Sequence, residues 1–449
     1  MERDYPMKIK VFLIVLLLAT LACINVNGQD QPDISPDDAI ATSVAATLTA
    51  AGGTNTQPPP STQPPPSTQP PLPPPSCQPL HPGAQSLQLP SALAAGSTTD
   101  SNLINIYDFQ SNPLGTKNLS GLSWQDPDQI HFAGGLTGGL APLPVVFHSL
   151  ANLGTLKVEQ NGIVSQLAQT PGLLTIAGEK GGGTIAYSLY STGANGWISN
   201  LYATSYGNAG TATVRLTRNQ GDGYVIWPLA VHTANGQAQG VWYTESMYGI
   251  GNILFHPYRD LLYLNMSNNQ VTSYLGTSSV VAGFSPDQTW VAYGQNPGAT
   301  PGQAQGFLKL KNLITCQEVT LTFHSSSNLG GGWVIFAPDN QMVAWLEASG
   351  TSVMQPIYRL RVARIDGTLI VDSLINNLYG LAGGVTPSWI LPRGWSANHL
   401  MILEIHVNAP NSPLVVMWAP DQAQPLNPAL GANQSVLLGD GNFMGFTYP

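Results

Sequence analysis

An all-β fold is predicted for this chain from three features: polarity carried by amides, hydroxyls and glycine, short apolar runs about ten residues apart, and a repeated hairpin motif. Only 9% of its 449 residues are charged, whereas 43% are apolar, and a usual charged share is about a quarter. Asn, Gln, Ser, Thr and Gly suit strands and turns better than charged helices do. The apolar share is large enough to bury a sizeable core. A net charge of −9, with 15 Lys and Arg scattered along the chain, leaves no basic run to track a phosphate backbone. Nucleic acid and anionic surfaces are therefore excluded as partners of the folded part.

From about Cys77 onward, apolar or alternating runs are separated by Gly, Asn, Asp and Pro, with no long segment of helical period. Strands are predicted at 103–107, 145–148, 184–190, 211–216, 223–227, 241–244, 307–310, 358–365, 400–407 and 414–418. Such spacing fits a sandwich, a barrel or a propeller.

The repeats choose among these. Phe284-Ser285-Pro286-Asp287-Gln288-Thr289-Trp290-Val291-Ala292-Tyr293 is matched, 52 residues later, by Phe336-Ala337-Pro338-Asp339-Asn340-Gln341-Met342-Val343-Ala344-Trp345. Looser copies start at Trp395 and at Phe255. Each unit reads as a strand ending on an aromatic residue, a Pro-Asp turn whose carboxylate bonds its own backbone, and a second strand. After each strong copy come two further strands, at 306–313 with 318–323 and at 358–366 with 368–374. Four strands per unit of roughly 50 residues is the count for one propeller blade. The expected fold is thus an all-β β-propeller of six to seven four-stranded blades, seven favoured, with the segment 442–448 pairing into the first blade to close the ring. Phe284, Pro286, Asp287, Phe336, Pro338, Asp339 and Trp395 are assigned structural roles in the repeat, the aromatics as core.

This Phe-Ser-Pro-Asp-x-x-x-Val-Ala-Tyr pattern resembles the WD-repeat-like units of TolB-type propellers. The resemblance covers 250–420 directly and 95–250 by extension, where 172–190 and 221–244 look blade-like without the Pro-Asp turn. It implies a protein-binding or scaffolding role in the periplasm or at the cell surface.

The N-terminus specifies location. Lys8 and Lys10 precede an apolar run from Val11 to Leu18, then Ala19-Thr20-Leu21-Ala22-Cys23. The run is too short to span a membrane, which takes about 18 apolar residues or more, and reads as a signal peptide. Its ending resembles the lipobox of bacterial lipoproteins, which implies cleavage before Cys23, a lipid on its sulfur, and anchoring to the outer face or periplasmic side of a cell membrane. Thr20 departs from the leucine usual in that pattern, so cleavage nearby by an ordinary signal peptidase stays open. Ser35-Pro36-Asp37-Asp38 then opens a short helix at about 36–51, ending at Gly52-Gly53. Residues 56–76 repeat Pro-Pro-Pro-Ser-Thr-Gln, a polyproline stalk of roughly 60 Å at about 3.1 Å per residue. The domain organisation expected is 1–22 signal peptide, 23–55 anchor segment, 56–76 linker and 77–449 propeller.

If Cys23 carries lipid, Cys77 and Cys316 remain, either as a disulfide or as two buried thiols. Neither has a second Cys or His at zinc-ligand spacing. The run Glu179-Lys180-Gly181-Gly182-Gly183-Thr184 has its lysine before the glycines and no helix after it, so it reads as a hairpin turn, with no nucleotide implied. Asp126 and Asp128 fit a Pro-Asp turn better than a calcium site. No histidine pair flanks a Glu at metal spacing, and no Gly-x-Ser-x-Gly elbow occurs, so no catalytic residue, metal or cofactor is assigned. The loops expected at 193–207 and 236–248 offer amides and aromatics as contact surfaces. Two functions stay open: a binding scaffold for a protein, peptide or glycan, or a propeller hydrolase or lyase whose acids or histidines gather at the channel mouth. Three or more such groups at the mouth would favour the enzyme.

Overall fold

In a computed structural model, the described residues run from 77 to 448, apart from 98, 121, 123–129, 134–143, 150–153, 195, 236, 248–257, 296–306, 325–327, 350–356, 375–386, 408–413, 421–433 and 439–441. The signal peptide, Cys23, the 36–51 helix, the stalk, and Asp126 and Asp128 lie outside the described residues.

The described strands sort into seven four-stranded groups, and the fold is a β-propeller. The first blade joins β1 (Ala92–Gly96), β2 (Leu103–Tyr107) and β3 (Pro113–Asn118) to the last strand of the chain, β28 (Asn442–Thr447). Blade two is β4 (Ile130–Phe132), β5 (Val145–Ser149), β6 (Thr155–Gln160) and β7 (Ile163–Gln169). Blade three is β8 (Leu173–Gly178), β9 (Thr184–Gly193), β10 (Gly196–Ser205) and β11 (Val214–Arg218). Blade four is β12 (Tyr224–Ala234), β13 (Gln237–Met247), β14 (Arg259–Asn265) and β15 (Val271–Ser273), and blade five is β16 (Ser279–Phe284), β17 (Trp290–Gln295), β18 (Leu308–Asn312) and β19 (Glu318–Leu321). A single bridge, Arg259 to Val280, links blades four and five. Blade six is β20 (Asn328–Phe336), β21 (Met342–Ser349), β22 (Ile357–Arg364) and β23 (Leu369–Leu374); blade seven is β24 (Pro387–Trp395), β25 (Met401–Val407), β26 (Leu414–Trp418) and β27 (Gln434–Leu438).

Burial follows position in the blade. Inner strands are covered on both faces, as in β1, β5 and β21, where every residue is buried, polar ones such as His148 and Glu347 included. Outer strands such as β3 and β7 have no fully buried residue. The core is correspondingly divided into seven clusters, each lying between two consecutive blades. Leu93 and Ala95 of blade one, for example, pack with Ile402, Val415 and Met417 of blade seven, closing the ring. Phe147 joins Ala94 and Ile104 at the first seam, and Trp345 joins Leu308 and Leu310 between blades five and six. Apolar burial at about 25 cal/mol per Å² thus holds the ring together seam by seam. At the fifth seam the approach requires glycine: a Cβ on Gly283 would sit 2.1 Å from the Val334 carbonyl oxygen.

Four of the seams, those of blades one with two, three with four, five with six and seven with one, also carry a covered carboxylate. Glu159 pairs with Lys117 at 2.8 Å, Glu245 with Arg218 at 2.7 Å, and Glu404 accepts from the Phe443 N–H at 3.0 Å. Glu347, fully buried, accepts from the His324 N–H and from Arg361. Among the described residues no helix is long and apolar enough to cross a membrane.

Three expectations need correction. The segments 193–207 and 236–248 are chiefly the strands β10 and β13 rather than contact loops, because alternating Tyr, Trp and Thr pair across tight hairpins before they can form open loops. The strand placed at 211–216 begins at Val214, after a 3-10 turn over Tyr206–Thr211. The copy beginning at Phe255 is not equivalent to the others: its strand, β14, is the third of its blade, whereas the other three copies join first to second strands. There Asp260 instead holds β15, accepting from the Ser273 hydroxyl at 2.6 Å and from two turn amides.

Candidate functional site

The turns joining first to second strands gather at one end of the ring, and the sequence determines their shape. In blade five the Ser285 hydroxyl donates to Asp287 Oδ1 at 2.6 Å, while both Asp287 oxygens accept from Thr289, through its amide at 3.0 Å and its hydroxyl at 2.6 Å. The Ser285 N–H donates to the Trp290 carbonyl, closing the hairpin. Blade six repeats this bond from Ala337 to Met342, and blade three from Glu179 to Thr184. Asn235, Gln288, Asn340 and His399 each adopt positive φ in these turns, a conformation in which amide and histidine side chains are enriched. Asp339 bonds His399 Nε2 at 2.5 Å, tying the turn of blade six to that of blade seven.

The repeat residues are therefore structural here. Phe336 and Trp395 lie in inter-blade clusters, and half-buried Phe284 packs on Trp242 with ring centroids 5.3 Å apart. They also wall the channel, together with Pro286 and Pro338.

Residues 77–91 cross this end of the ring as a strap. The Cys77 N–H donates to the Ile314 carbonyl, and Cys77 and Cys316 have Cα atoms 5.2 Å apart. His81 stacks on Trp242 at 5.4 Å, and its Nε2 lies 2.8 Å from the Gln288 carbonyl oxygen. The Gly83 N–H donates to His81 Nδ1, which assigns the ring proton to Nε2; burial holds the ring's pKa below the ordinary histidine value. Gln85 exchanges two bonds of 2.8 Å with Thr233 and donates its N–H to the Asp287 carbonyl. The strap then enters blade one, where the Ser91 N–H bonds the Thr447 carbonyl.

Between the strap and the turns of blades three to five lies a cavity of about 450 Å³, and a second of about 180 Å³ is walled by residues of blades five to seven with Phe446 and Tyr448. Gln88, Lys180 and Pro286 line both. The larger is walled mainly by amides, hydroxyls and backbone, including Gln85, Thr233 and Asn235. The smaller has Pro90, Phe284 and Phe446 among its walls, with Gln88, Lys180 and Arg393 beside them, and exposes polar and apolar surface in about equal measure. Two amide groups facing this space, that of Gln88 and Gln288 Oε1, the latter in a residue only 4% exposed, have no hydrogen-bond partner among the described residues, and Lys180 Nζ has none beyond the face of the Tyr448 ring. Gln288 uses its other amide atom, Nε2, to donate to the Val231 carbonyl at 2.9 Å.

Electrostatics single out Lys180. Burial lowers its pKa to about 8, and the carboxylate of Asp287 only partly offsets this. Asp287 is already engaged in its own turn, and Arg393, the other cation of the channel, pairs with Glu404 at 3.1 Å. Close by, His131 is held neutral by burial, its pKa lowered to about 4. His232 behaves likewise, chiefly through burial and secondarily through the nearby His81, while its Nδ1 meets the Tyr263 hydroxyl at 3.0 Å. Among the described residues no group of three or more His, Cys, Asp or Glu is placed to hold a metal. The arrangement can hold a polar or anionic ligand.

Reading the sequence alone missed Lys180 as a functional residue, since its glycine-rich run indicated only a turn. The available signal was one lysine set among glycines in a chain with few charges. The strap was missed because Gln85 and Gln88 follow no periodic pattern.

No family model matches the chain, and no curated protein resembles it closely enough to count as a match. Solved structures similar to it include TolB from Acinetobacter baumannii, with a TM-score of 0.36 and 13% identity over 74% of this chain and 76% of that one. One of two prolyl endopeptidases gives a TM-score of 0.48 and 11% identity over 78% of this chain; the chain spans about half of that protein, 51%. Oligogalacturonate lyase from Vibrio parahaemolyticus gives 0.36 and 10%, over 76% of this chain and 85% of that one.

Proposed function

We propose that the chain is an envelope-anchored binding scaffold. A lipid on Cys23 holds it at a membrane, the proline-rich segment 56–76 lifts the propeller clear, and the strapped mouth takes a segment of a protein, peptide or glycan. The observation that carries this reading is the convergence of Lys180 Nζ, the Gln88 amide and Gln288 Oε1 on one cavity. Buried polar groups are nearly always hydrogen-bonded, so the buried Gln288 Oε1, without a partner among the described residues, marks a cavity that suits a polar occupant. At about 450 Å³ it lies within the roughly 300–1,000 Å³ of small-ligand pockets.

A hydrolase or lyase at the same mouth would need convergent acids or histidines. Among the described lining residues these are Glu179 and His232, fewer than three, and the remaining wall of Lys180, amides, hydroxyls, prolines and apolar groups favours binding over chemistry.

Capture from the cell envelope with the full chain tests the reading. Gln88→Trp, which fills the mouth, should abolish recovery of the partner, and Ser165→Trp on the exposed outer strand of blade two should not. Recovery unchanged by Gln88→Trp would overturn it. The anchor has its own test: metabolic labelling with a fatty acid should mark the wild type and not Cys23→Ser, and equal labelling of both would contradict it.

A further inference from the structure

The two cavities differ in the side chains that wall them, aromatic rings lining only the smaller apart from His232, and meet at Lys180. On the strap side, the groups without partners are an amide oxygen, Gln288 Oε1, and the whole Gln88 amide. On the channel side, Pro90, Phe284, Pro286 and Phe446 leave space for an apolar group. Lys180 borders both. Of the other charged groups nearby, Asp287 is bonded within its turn, Asp339 to His399, and Arg393 to Glu404, while the Glu179 side chain lies over Gly182.

A ligand that satisfies this junction carries a carboxylate, an N–H donor next to it, and an apolar side chain on the same carbon. An acidic sugar presents hydroxyls on every side, for which the smaller cavity has few partners. Resting on the reading of the mouth as a binding site, we propose that the ligand is the carboxyl-terminal end of a peptide. Its α-carboxylate is held by Lys180 and the Gln88 amide, its last N–H donates to Gln288 Oε1, and its last, apolar side chain fills the smaller cavity. The lowered pKa of Lys180 agrees with an amine whose burial is only partly offset by Asp287. A charge-assisted bond in such a site is stronger than a neutral one.

The test is equilibrium binding to the full chain of acetyl-Gly-Gly-Ala-Leu as the free acid, the same peptide as its carboxamide, the free acid ending in Gly, and a diglucuronate. The leucine acid should bind at least ten times tighter than its carboxamide and clearly tighter than the glycine acid. Lys180→Gln should bring acid and carboxamide to the same affinity, whereas Lys180→Arg should keep the preference, with circular dichroism of both variants matching the wild type. Equal binding of acid and carboxamide by the wild type, or a preference that survives in Lys180→Gln, would overturn the carboxylate assignment and leave the mouth a binding site. Preferential binding of the diglucuronate, or no binding of any probe, would also overturn it. The scaffold reading itself falls only if envelope capture is indifferent to Gln88→Trp.

Discussion

The ammonium of Lys180 lies 5.4 Å from the ring centroid of Tyr448, so a turn of blade three meets the residue that follows the last strand. A cation over an aromatic face contributes about 0.5–1 kcal/mol when exposed and about 2 when desolvated. This is less than the hydration lost on burial, since the pKa of the amine still falls to about 8 from 10.5, and burial pushes the Tyr448 phenol up.

A pH dependence follows, with a definite sign. The folded pKa of Lys180 is depressed, so between about 8 and 10.5 the unfolded chain binds more protons than the folded one and stability rises with pH. Below pH 8 the folded protein bears the full cost of the buried charge. Thermal unfolding of Lys180→Met against the wild type should show the variant more stable at pH 7, with the gap narrowing toward pH 10. A gap that widens with pH would show that the amine is well solvated.

Glu347 should be the carboxylate whose loss is most damaging. It is fully buried, accepts from the His324 N–H at 2.9 Å, and pairs with Arg361 at 3.1 Å, joining blades five and six. Glu347→Gln removes the nearer counter-charge of the Arg361 guanidinium and leaves it Asp372 at 3.4 Å, so the cost should be about 1–3 kcal/mol, below that of a fully broken buried pair. Denaturant unfolding measures this as a lower midpoint. A change under about 1 kcal/mol would place the Arg361 charge in contact with water.

Cys77 and Cys316, 239 positions apart in sequence, are close enough to bridge, and the compartment expected from the leader permits disulfides. A non-reduced peptide map should recover the two on one linked fragment. Cys77→Ser should leave the strand content intact while the strap amides, that of Gln85 included, exchange faster with solvent. Separate thiol-bearing fragments would show that hydrogen bonds alone hold the strap.

What the sequence made legible is local. The Pro-Asp turns after Phe284 and Phe336 announce themselves because a carboxylate three residues past the aromatic is placed to accept from its own turn, as Asp287 does from Thr289 and Asp339 from the Gln341 N–H, and apolar residues place β17 and β21 after them. Closure by β28 was also readable, because a propeller edge has to be paired. The third-strand position of the copy at Phe255 was not, because Phe, Pro and an apolar run look alike at any entry to a strand. The mouth was not legible either: Gln85 meets Thr233, and Gln88 comes to line the same cavity as Lys180, only through ring geometry, across separations that leave no pattern in the chain.

The central claim is that the strapped mouth is where the partner sits. Its most direct test is a photo-crosslinking amino acid placed at Gln88 in the full chain in cells, with the same group at Ser165 as the control. A specific adduct from position 88, reduced in Lys180→Gln and absent from position 165, is the expected result. Adducts from position 165 alone, or none from position 88, would contradict it.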